Sequence, residues 1–226
     1  MAVRVFESRE AAGRELGERL AREGWRRPIV LALPRGGVPV AVAVAGALGC
    51  PMDVLLVRKI GAPFQEEFAV AAVVDGDPPK LVRNPALAGW EGRDLEGHLD
   101  RAYETACGEI RRRRRAYLGD APPAEVAGRT AILVDDGLAT GTTMRAAVEA
   151  MRRRGAARVV VAVPVAPPDA ARDLARLADD VVCLEMPAGF GAVGAFYEDF
   201  HQLDDAEVVQ LLETVAGPNP NQGRPT

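Results

Sequence analysis

The sequence predicts an α/β fold, a doubly wound parallel sheet with a small hood or insertion subdomain. Short apolar runs of strand length alternate along the chain with longer stretches of helical periodicity, and this alternation is typical of parallel sheets that carry helices on both faces. Several of the apolar runs are followed by loops of glycine and charged residues. Because such sheets bind ligands beyond the carboxyl ends of their strands, we expect the functional residues in those loops.

The first predicted elements alternate between helix and strand. Residues 8–22 place apolar and small residues at helical spacing, and Ser8 can cap this helix. The apolar run 29–33 predicts a strand, and residues 38–48 predict a helix because they follow a pair of glycines. A second apolar run at 54–57 predicts the next strand.

The middle of the chain predicts two neighbouring strands and a long helix. Residues 68–74 and 80–83 are apolar runs separated by a glycine- and proline-containing turn at 75–79. Residues 94–117 are rich in charged side chains and predict one long helix. Further strands are predicted at 131–134, 158–163 and 181–184, and further helices at 142–154, 169–177 and 205–215.

Length and composition indicate a single globular domain. The 226 residues are 48% hydrophobic and 27% charged, which are ordinary values for a folded domain. We expect one domain of residues 1–216, with its core at about 29–185 and its hood at about 186–204 together with parts of 60–120. Residues 217–226 are rich in proline, glycine, asparagine and glutamine and are predicted to be disordered.

Composition also excludes several functional classes. The net charge of −4 gives no reason to expect nucleic acid, and no apolar run reaches the roughly 18 residues of a membrane span. Three cysteines without metal-ligand spacing and the lack of a secretory signal predict a reduced, cytoplasmic protein. The only serine, Ser8, is near the N-terminus, which argues against a serine hydrolase, and His98 and His201 have no second ligand at metal spacing.

Residues 131–143 are the most informative segment of the chain. An apolar strand is followed by two carboxylates, Asp135 and Asp136, and then by a loop of glycine and threonine that leads into a helix. The N–H groups of a helix N-terminus and the threonine hydroxyls can bind a phosphate, and adjacent carboxylates can accept hydrogen bonds from two neighbouring hydroxyls. An ordinary turn with one capping Asp is the alternative, but a cap does not need two acids and three threonines. The segment therefore predicts a site for ribose 5-phosphate.

This segment resembles the signature of the type I phosphoribosyltransferases, which bind 5-phosphoribosyl 1-diphosphate (PRPP) and transfer its ribosyl group. The resemblance implies that Asp135 and Asp136 hold the ribose 2′- and 3′-hydroxyls, and that Asp136 is the better candidate for a general base. The loop residues expected around the 5′-phosphate are Gly137, Ala139, Thr140, Gly141, Thr142 and Thr143.

The loop after the first strand reads Pro-Arg-Gly-Gly at residues 34–37. Consecutive glycine N–H groups and a forked guanidinium suit phosphate oxygens, although a plain turn before a helix is the alternative. The resemblance implies that Arg35, Gly36 and Gly37 bind the pyrophosphate of PRPP, often with a cis peptide bond in this loop.

The loop after the strand predicted at 54–57 begins with Arg58 and Lys59. Two adjacent cations can neutralise a diphosphate, and Lys59 is one of only two lysines in the chain; a solvated strand end is the alternative. The resemblance implies a pyrophosphate contact for both residues and a catalytic role for Lys59. It also implies that residues 61–67 form a mobile loop that closes over the substrate.

An aromatic segment near residues 190–200 resembles the hood of purine-type phosphoribosyltransferases. An aromatic ring can stack on a flat base, and the resemblance implies Phe190 and Val193 at the base and Glu198 or Asp199 at a metal ion. Closure of the core is the alternative explanation for this aromatic cluster.

The five arginines at 111–115 are spread around a helix by steps of roughly 100° and cannot form one stripe. A solvated helix face or a subunit contact is expected for them, with an RNA-binding patch as the alternative.

The resemblance implies a Mg²⁺-dependent cytoplasmic enzyme that transfers the phosphoribosyl group of PRPP to a nitrogenous acceptor, such as a nucleobase, and releases pyrophosphate. The family's usual form is a homodimer. A regulatory protein that binds PRPP or a nucleotide without turnover is the alternative, because a fold does not guarantee an activity.

Overall fold

The computed structural model of the protein describes residues 4–63, 65–84 and 93–216. The five strands of its central sheet are β1 (Pro28–Ala32), β2 (Met52–Val54), β6 (Thr130–Val134), β7 (Arg158–Val165) and β8 (Asp180–Glu185). All neighbours in this sheet are parallel, and their order is β2-β1-β6-β7-β8. The residues of β6 are buried throughout, as expected for a parallel strand with helices on both faces. The predicted α/β fold class is confirmed.

Six helices surround or flank the sheet in the described part of the chain. They are α1 (Arg9–Ala21), α2 (Gly37–Leu48), α3 (Arg93–Leu118), α4 (Thr142–Arg153), α5 (Pro168–Leu174) and α6 (Asp205–Ala216). The predicted cap of the first helix is confirmed, because the hydroxyl of Ser8 accepts a hydrogen bond from the N–H of Ala11 at 3.2 Å. The predicted disordered tail, residues 217–226, lies outside the described residues.

A second, smaller sheet is antiparallel. Its strands are β3 (Val57–Ala62), β4 (Gln65–Val74) and β5 (Lys80–Arg83), in the order β3-β4-β5. The pair of strands predicted around the turn at 75–79 corresponds to β4 and β5. This sheet lies between two helices, because Val73 belongs to the same apolar cluster as Leu99 of α3, whereas Val74 belongs to the cluster of Val148 in α4.

The strand predicted at 54–57 is wrong in its extent. β2 ends at Val54, and Val57 already belongs to β3 of the small sheet. Leu55 and Leu56 are buried although they lie in neither strand, so their apolar character reflects burial in the core and not strand pairing. Residues 61–67 therefore belong to the turn and the facing ends of the β3–β4 hairpin, within which residue 64 lies outside the described part of the chain.

The arginine run at 111–115 is divided between solvent and core. Arg114 is buried and donates hydrogen bonds to Asp75 at 2.6 Å and to Asp53 at 3.2 Å. Arg112 and Arg113 pair with Glu109 on the surface of α3, as the solvated-face interpretation expects. One member of the run thus joins α3 to β2 and to the small sheet, a role that the sequence did not indicate.

No helix in the described ranges is both long and apolar enough to cross a membrane. Cys50, Cys107 and Cys183 are all free thiols.

Candidate functional site

The site lies where the strand order of the central sheet reverses. From β1 the chain proceeds to β2 on one side, whereas β6 leads to β7 on the other. The strands β1 and β6 end level with each other, since Ala32 lies opposite Val134 and the N–H of Leu33 donates to the carbonyl of Val134 at 2.9 Å. Loops that diverge at such a point leave a crevice at the carboxyl ends of the strands. The loops 34–37 and 135–143 therefore meet at the place where ligands bind in this class of sheet.

The loop 34–37 packs directly on the two acids. A Cβ atom at Gly36 would overlap the Oδ2 atom of Asp136, and one at Gly37 would lie 2.7 Å from the carbonyl oxygen of Val134 and 2.9 Å from the Cα atom of Asp135. Only glycine allows the backbone to come this close. The peptide bond between Pro34 and Arg35 is cis, as the family resemblance implied.

Asp135 and Asp136 form a half-buried carboxylate pair at the end of β6. The N–H of Asp136 donates to Oδ1 of Asp135 at 2.9 Å. Burial raises the pKa of Asp135 well above its ordinary value, and the neighbouring charge of Asp136 raises it further. Burial also raises the pKa of Asp136, but the guanidinium of Arg9 opposes that rise. The two acids therefore differ in what stabilises their ionised forms.

Arg9 is a site residue that sequence reasoning missed. It is the first residue of α1, it is 7% exposed, and its Nε atom donates to Oδ2 of Asp136 at 2.8 Å. Its Nη1 atom donates to the carbonyl of His201 at 3.0 Å, and its guanidinium lies 3.9 Å from the centre of the Phe200 ring. The only available signal was its place directly after the capping residue Ser8, which says nothing about a partner 127 residues away.

The backbone of Asp136 is held by a second residue that the sequence did not single out. The hydroxyl of Tyr197 donates to the carbonyl oxygen of Asp136 at 2.5 Å. The ring of Tyr197 is buried, tilted against Phe6 at 5.7 Å and stacked on Phe200 at 5.3 Å. The aromatic segment therefore contacts the acid pair through a hydroxyl group.

The loop 137–143 presents an open helix end. Gly141 has φ of 71°, a left-handed conformation that favours glycine, and it precedes α4 with no side chain capping the helix. The first N–H groups of α4 can therefore point to a ligand. Next to them, the hydroxyls of Thr140 and Thr142 lie 3.1 Å apart, and Ala139 and Thr143 complete the loop.

Val193 packs against the backbone of Gly137. A Cβ atom at Gly137 would be 2.7 Å from Val193 and 3.0 Å from Val165, so the two valines pack on the bare backbone of the loop. The structure thus places Val193 against the loop 137–143. Phe190 stacks on Phe196 at 5.1 Å and is partly exposed, whereas Phe196 is buried. Core closure accounts for Phe196, and Phe190 keeps a partly open ring for the predicted base contact.

Lys59 and Arg58 lie inside β3 and not, as the sequence predicted, at the end of a central strand. Lys59 pairs with Ala72 and Arg58 with Val73. Ala72 lines a cleft of about 300 Å³ that also contains Thr140 and Thr142. Because paired residues share a face of a sheet, Lys59 lies on the face of Ala72, which packs with residues of α4.

Arg58 lies on the other face of the small sheet, since successive strand residues point to opposite sides. That face packs on α3, and a second cleft of about 460 Å³ between β3 and α3 is lined by residues 58–63 together with His98, Arg101 and Thr105. The two cations that the sequence grouped as one pair therefore lie on opposite faces of the small sheet, although both border this cleft.

Arg145 is a further residue that the sequence analysis missed. It lies in the first turns of α4 and lines the same cleft as Thr140 and Thr142. A cation near a helix N-terminus is unfavourable toward the helix dipole. That unfavourable position was the available sequence signal for Arg145 as a candidate site residue.

The predicted metal ligands Glu198 and Asp199 are exposed. Oδ1 of Asp199 lies 3.2 Å from the ring of His201, and this contact lowers the pKa of Asp199. Within residues 4–63, 65–84 and 93–216, no group of three or more His, Cys, Asp or Glu side chains is arranged to hold a metal ion.

Comparison with known proteins agrees with this geometry. Residues 5–200 match the family model of the phosphoribosyl transferase domain. The chain belongs to the phosphoribosyltransferase family. The resemblance inferred from residues 131–143 is therefore confirmed, together with the fold that it implied.

Individual relatives extend over most of this phosphoribosyltransferase chain. Two Mycobacterium tuberculosis proteins, from strains CDC 1551 and H37Rv and named provisionally as phosphoribosyl transferases, are each 42% identical over 216 residues, or 93% of this chain. The chain spans 47% of the length of each of these relatives. A crystal structure of a Thermus thermophilus protein is similar over 94% of this chain and 100% of its own, with 44% identity and a TM-score of 0.83.

Proposed function

We propose that this domain binds PRPP and transfers its 5-phosphoribosyl group to a nitrogenous acceptor, such as a nucleobase, with release of pyrophosphate. The observation that carries the proposal is the contact of Gly36 and Gly37 with Asp135 and Asp136 at the switch point of the sheet. It places a candidate pyrophosphate loop against a carboxylate pair, and the same strand end leads into an open helix N-terminus.

In the proposed complex, three parts of PRPP meet three parts of the chain. The 5′-phosphate accepts hydrogen bonds from the first turn of α4 and from Thr140 and Thr142, with Lys59 and Arg145 supplying charge beside that loop. The ribose hydroxyls donate to Asp135 and Asp136. The pyrophosphate lies on the backbone N–H groups of the 34–37 loop and near the guanidinium of Arg35, which is 32% exposed.

The proposed reaction is a displacement at the anomeric carbon of ribose. The bond from that carbon to the pyrophosphate oxygen breaks, and the bond to the acceptor nitrogen forms. Positive charge that develops on the ribose ring is stabilised by the acid pair below it, and the chain contributes mainly position and electrostatics. Because Oδ2 of Asp136 already accepts a hydrogen bond from Arg9, its other oxygen is the less occupied acceptor for a proton or a ribose hydroxyl.

The described residues fit a magnesium ion that is bound mainly by the substrate. They form no cluster of three metal-ligating side chains, and Mg²⁺ commonly keeps phosphate and water ligands with only one or two carboxylates. When bound to the diphosphate, the ion neutralises the leaving group. The ribose and pyrophosphate oxygens of PRPP are its main proposed ligands.

Calorimetric titration of PRPP with Mg²⁺, alone and with a panel of nucleobases, tests the proposal. Binding that one base strengthens, together with pyrophosphate release in that mixture, would support the transferase. Binding without release under any base would instead favour the regulatory alternative. Folded protein without PRPP binding would reject both. An Asp135→Asn, Asp136→Asn double variant serves as the control and should lose turnover while it keeps the circular dichroism of the parent.

A further inference from the structure

Arg9 contacts both the acid pair and the C-terminal segment 196–203. Its guanidinium donates through Nε to Asp136 and through Nη1 to the carbonyl of His201, and it covers the ring of Phe200. Its three neighbours thus come from a central loop and from the C-terminal segment, while Arg9 itself begins α1. A residue with only a structural role would not need to direct its charge at a carboxylate of the candidate site.

The backbone around Arg9 strengthens this connection. Phe6 forms a parallel bridge with Tyr197, and its N–H donates to the carbonyl of Phe196 at 2.8 Å. The N–H of Glu198 donates in turn to the carbonyl of Phe6 at 2.8 Å. The segment that contains Arg9 is therefore hydrogen-bonded to the segment that contains Tyr197, and Arg9 and Tyr197 both contact Asp136.

The carboxylate of Asp136 is confined from three sides. Arg9 holds its Oδ2 atom, the backbone of Gly36 leaves no space for a methyl group beside it, and Tyr197 holds its main-chain carbonyl. Such a carboxylate keeps Oδ1 as its less occupied acceptor, and it has little freedom to rotate. This geometry suits an acceptor for a single hydroxyl whose position must be reproducible.

We propose that Arg9 is a positioning residue, which fixes the carboxylate of Asp136 for a substrate hydroxyl and connects it to the 196–203 segment. The inference rests on the proposed function, since the substrate hydroxyl is a ribose hydroxyl of PRPP. Arg9 acts through Asp136 and does not itself touch the substrate. Removal of Arg9 leaves Asp136 partly buried without its cation, so the acid becomes easier to protonate and free to turn.

The test compares Arg9→Ala and Arg9→Lys with the parent by calorimetry of PRPP and Mg²⁺ between pH 5 and pH 8. A charge-assisted hydrogen bond to a partly buried carboxylate is lost, so we expect PRPP affinity at pH 7 to fall by about 10-fold or more in Arg9→Ala. Affinity should also begin to fall at a higher pH than in the parent. Arg9→Lys should restore part of both effects, because it returns the charge without the second hydrogen bond.

Arg4→Ala is the matched control. Arg4 lies in the same N-terminal segment, pairs with Glu15 and lies 5.0 Å from the ring of Phe6, but it contacts neither acid. It should leave the affinity and its pH dependence unchanged. The other titratable or charged groups that contact Asp136 or line the same cleft, namely Asp135, Arg35, Tyr197 and His201, are the same in every variant, so a shift specific to Arg9→Ala reports the lost cation.

Two results separate the possible failures. If the parent binds no PRPP, the proposed function fails, and the inference fails with it. If the parent binds PRPP and a folded Arg9→Ala variant does so with the same affinity and pH dependence, only the role of Arg9 is overturned. Thermal unfolding identifies a variant that does not fold. If Arg9→Ala does not fold, the Arg9→Lys variant decides the test. A pH dependence of PRPP affinity equal to that of the parent then overturns the role, whereas a partial shift supports it.

Discussion

Gly36 and Asp136 are in contact across the switch point of the sheet. A methyl group on Gly36 would overlap Oδ2 of Asp136 and lie 2.5 Å from its Cγ atom. The two residues belong to loops that follow different strands, β1 and β6, whose last residues are paired. The spacing between the candidate pyrophosphate loop and the acid pair is therefore set by the absence of one side chain.

Gly36→Ala should consequently displace the carboxylate of Asp136 or the loop itself. We expect turnover of PRPP to fall by about 100-fold, since a misplacement of about 1 Å at a site can cost that much. Gly46→Ala is the matched control, because Gly46 lies in α2, the helix that Gly36 directly precedes, and a Cβ atom there meets nothing within 4 Å. Steady-state kinetics of both variants would decide the matter, and equal activities would show that the contact is unimportant.

Lys59→Ala should lower turnover of PRPP more than the loss of an unrelated cation. Lys59 lies on the face of the small sheet that carries Ala72, which lines the cleft of Thr140 and Thr142. We expect a loss of about 10-fold or more, from one charge-assisted contact to phosphate. Arg111→Ala on the exposed surface of α3 and Lys80→Ala, at the only other lysine, are the controls. An equal loss of turnover in all three variants would show that Lys59 does not contribute to the site.

The positions of Lys59 and Arg58 show a feature that the sequence does not predict, namely the face of the strand on which a side chain lies. Glycine loops, apolar strands and the acid pair are local patterns, and the structure has four of the five central strands and the carboxylate pair in the predicted places. The face on which a strand residue lies depends on the partner strand and its register. Arg58 and Lys59 are adjacent in the sequence, and only their pairing with Val73 and Ala72 separates them.

Arg9 and Tyr197 illustrate the same limit over a longer distance. The partner of Arg9 is 127 residues away and that of Tyr197 is 61 residues away. Neither spacing has a period that a helix or strand pattern could reveal. A charged residue and an aromatic residue near the chain ends have ordinary surface or core explanations, so only the folded chain brings them to Asp136.

Asp135→Asn should stabilise the domain in the absence of substrate. Burial raises the pKa of Asp135 above its unfolded value, so its ionised form costs folding free energy at neutral pH. That cost begins to shrink as the pH falls through the folded pKa and is gone below the unfolded pKa. The amide has a similar shape and can still accept the hydrogen bond from the N–H of Asp136. We expect a higher free energy of unfolding at pH 7 in urea denaturation, with the difference from the parent narrowing toward acid pH. A less stable variant at pH 7 would contradict this expectation.

Arg114→Ala should destabilise the domain without any direct effect on the site. Arg114 is 9% exposed and binds both Asp75 and Asp53, and its removal leaves two buried carboxylates without their cation. Loss of one member of a buried ion pair costs about 3–5 kcal/mol. We expect a fall of that size in the free energy of unfolding, measured by urea denaturation.

Arg115→Ala is the neighbouring control for that experiment. Arg115 pairs with Asp120 at 3.3 Å, but the two side chains are 80% and 89% exposed, so solvent screens the pair. Its removal should leave the free energy of unfolding almost unchanged. Two adjacent arginines of one run would then differ in their effect on stability solely because one lies between two buried acids. Equal losses for Arg114→Ala and Arg115→Ala would show that the buried triad adds no more than the surface pair.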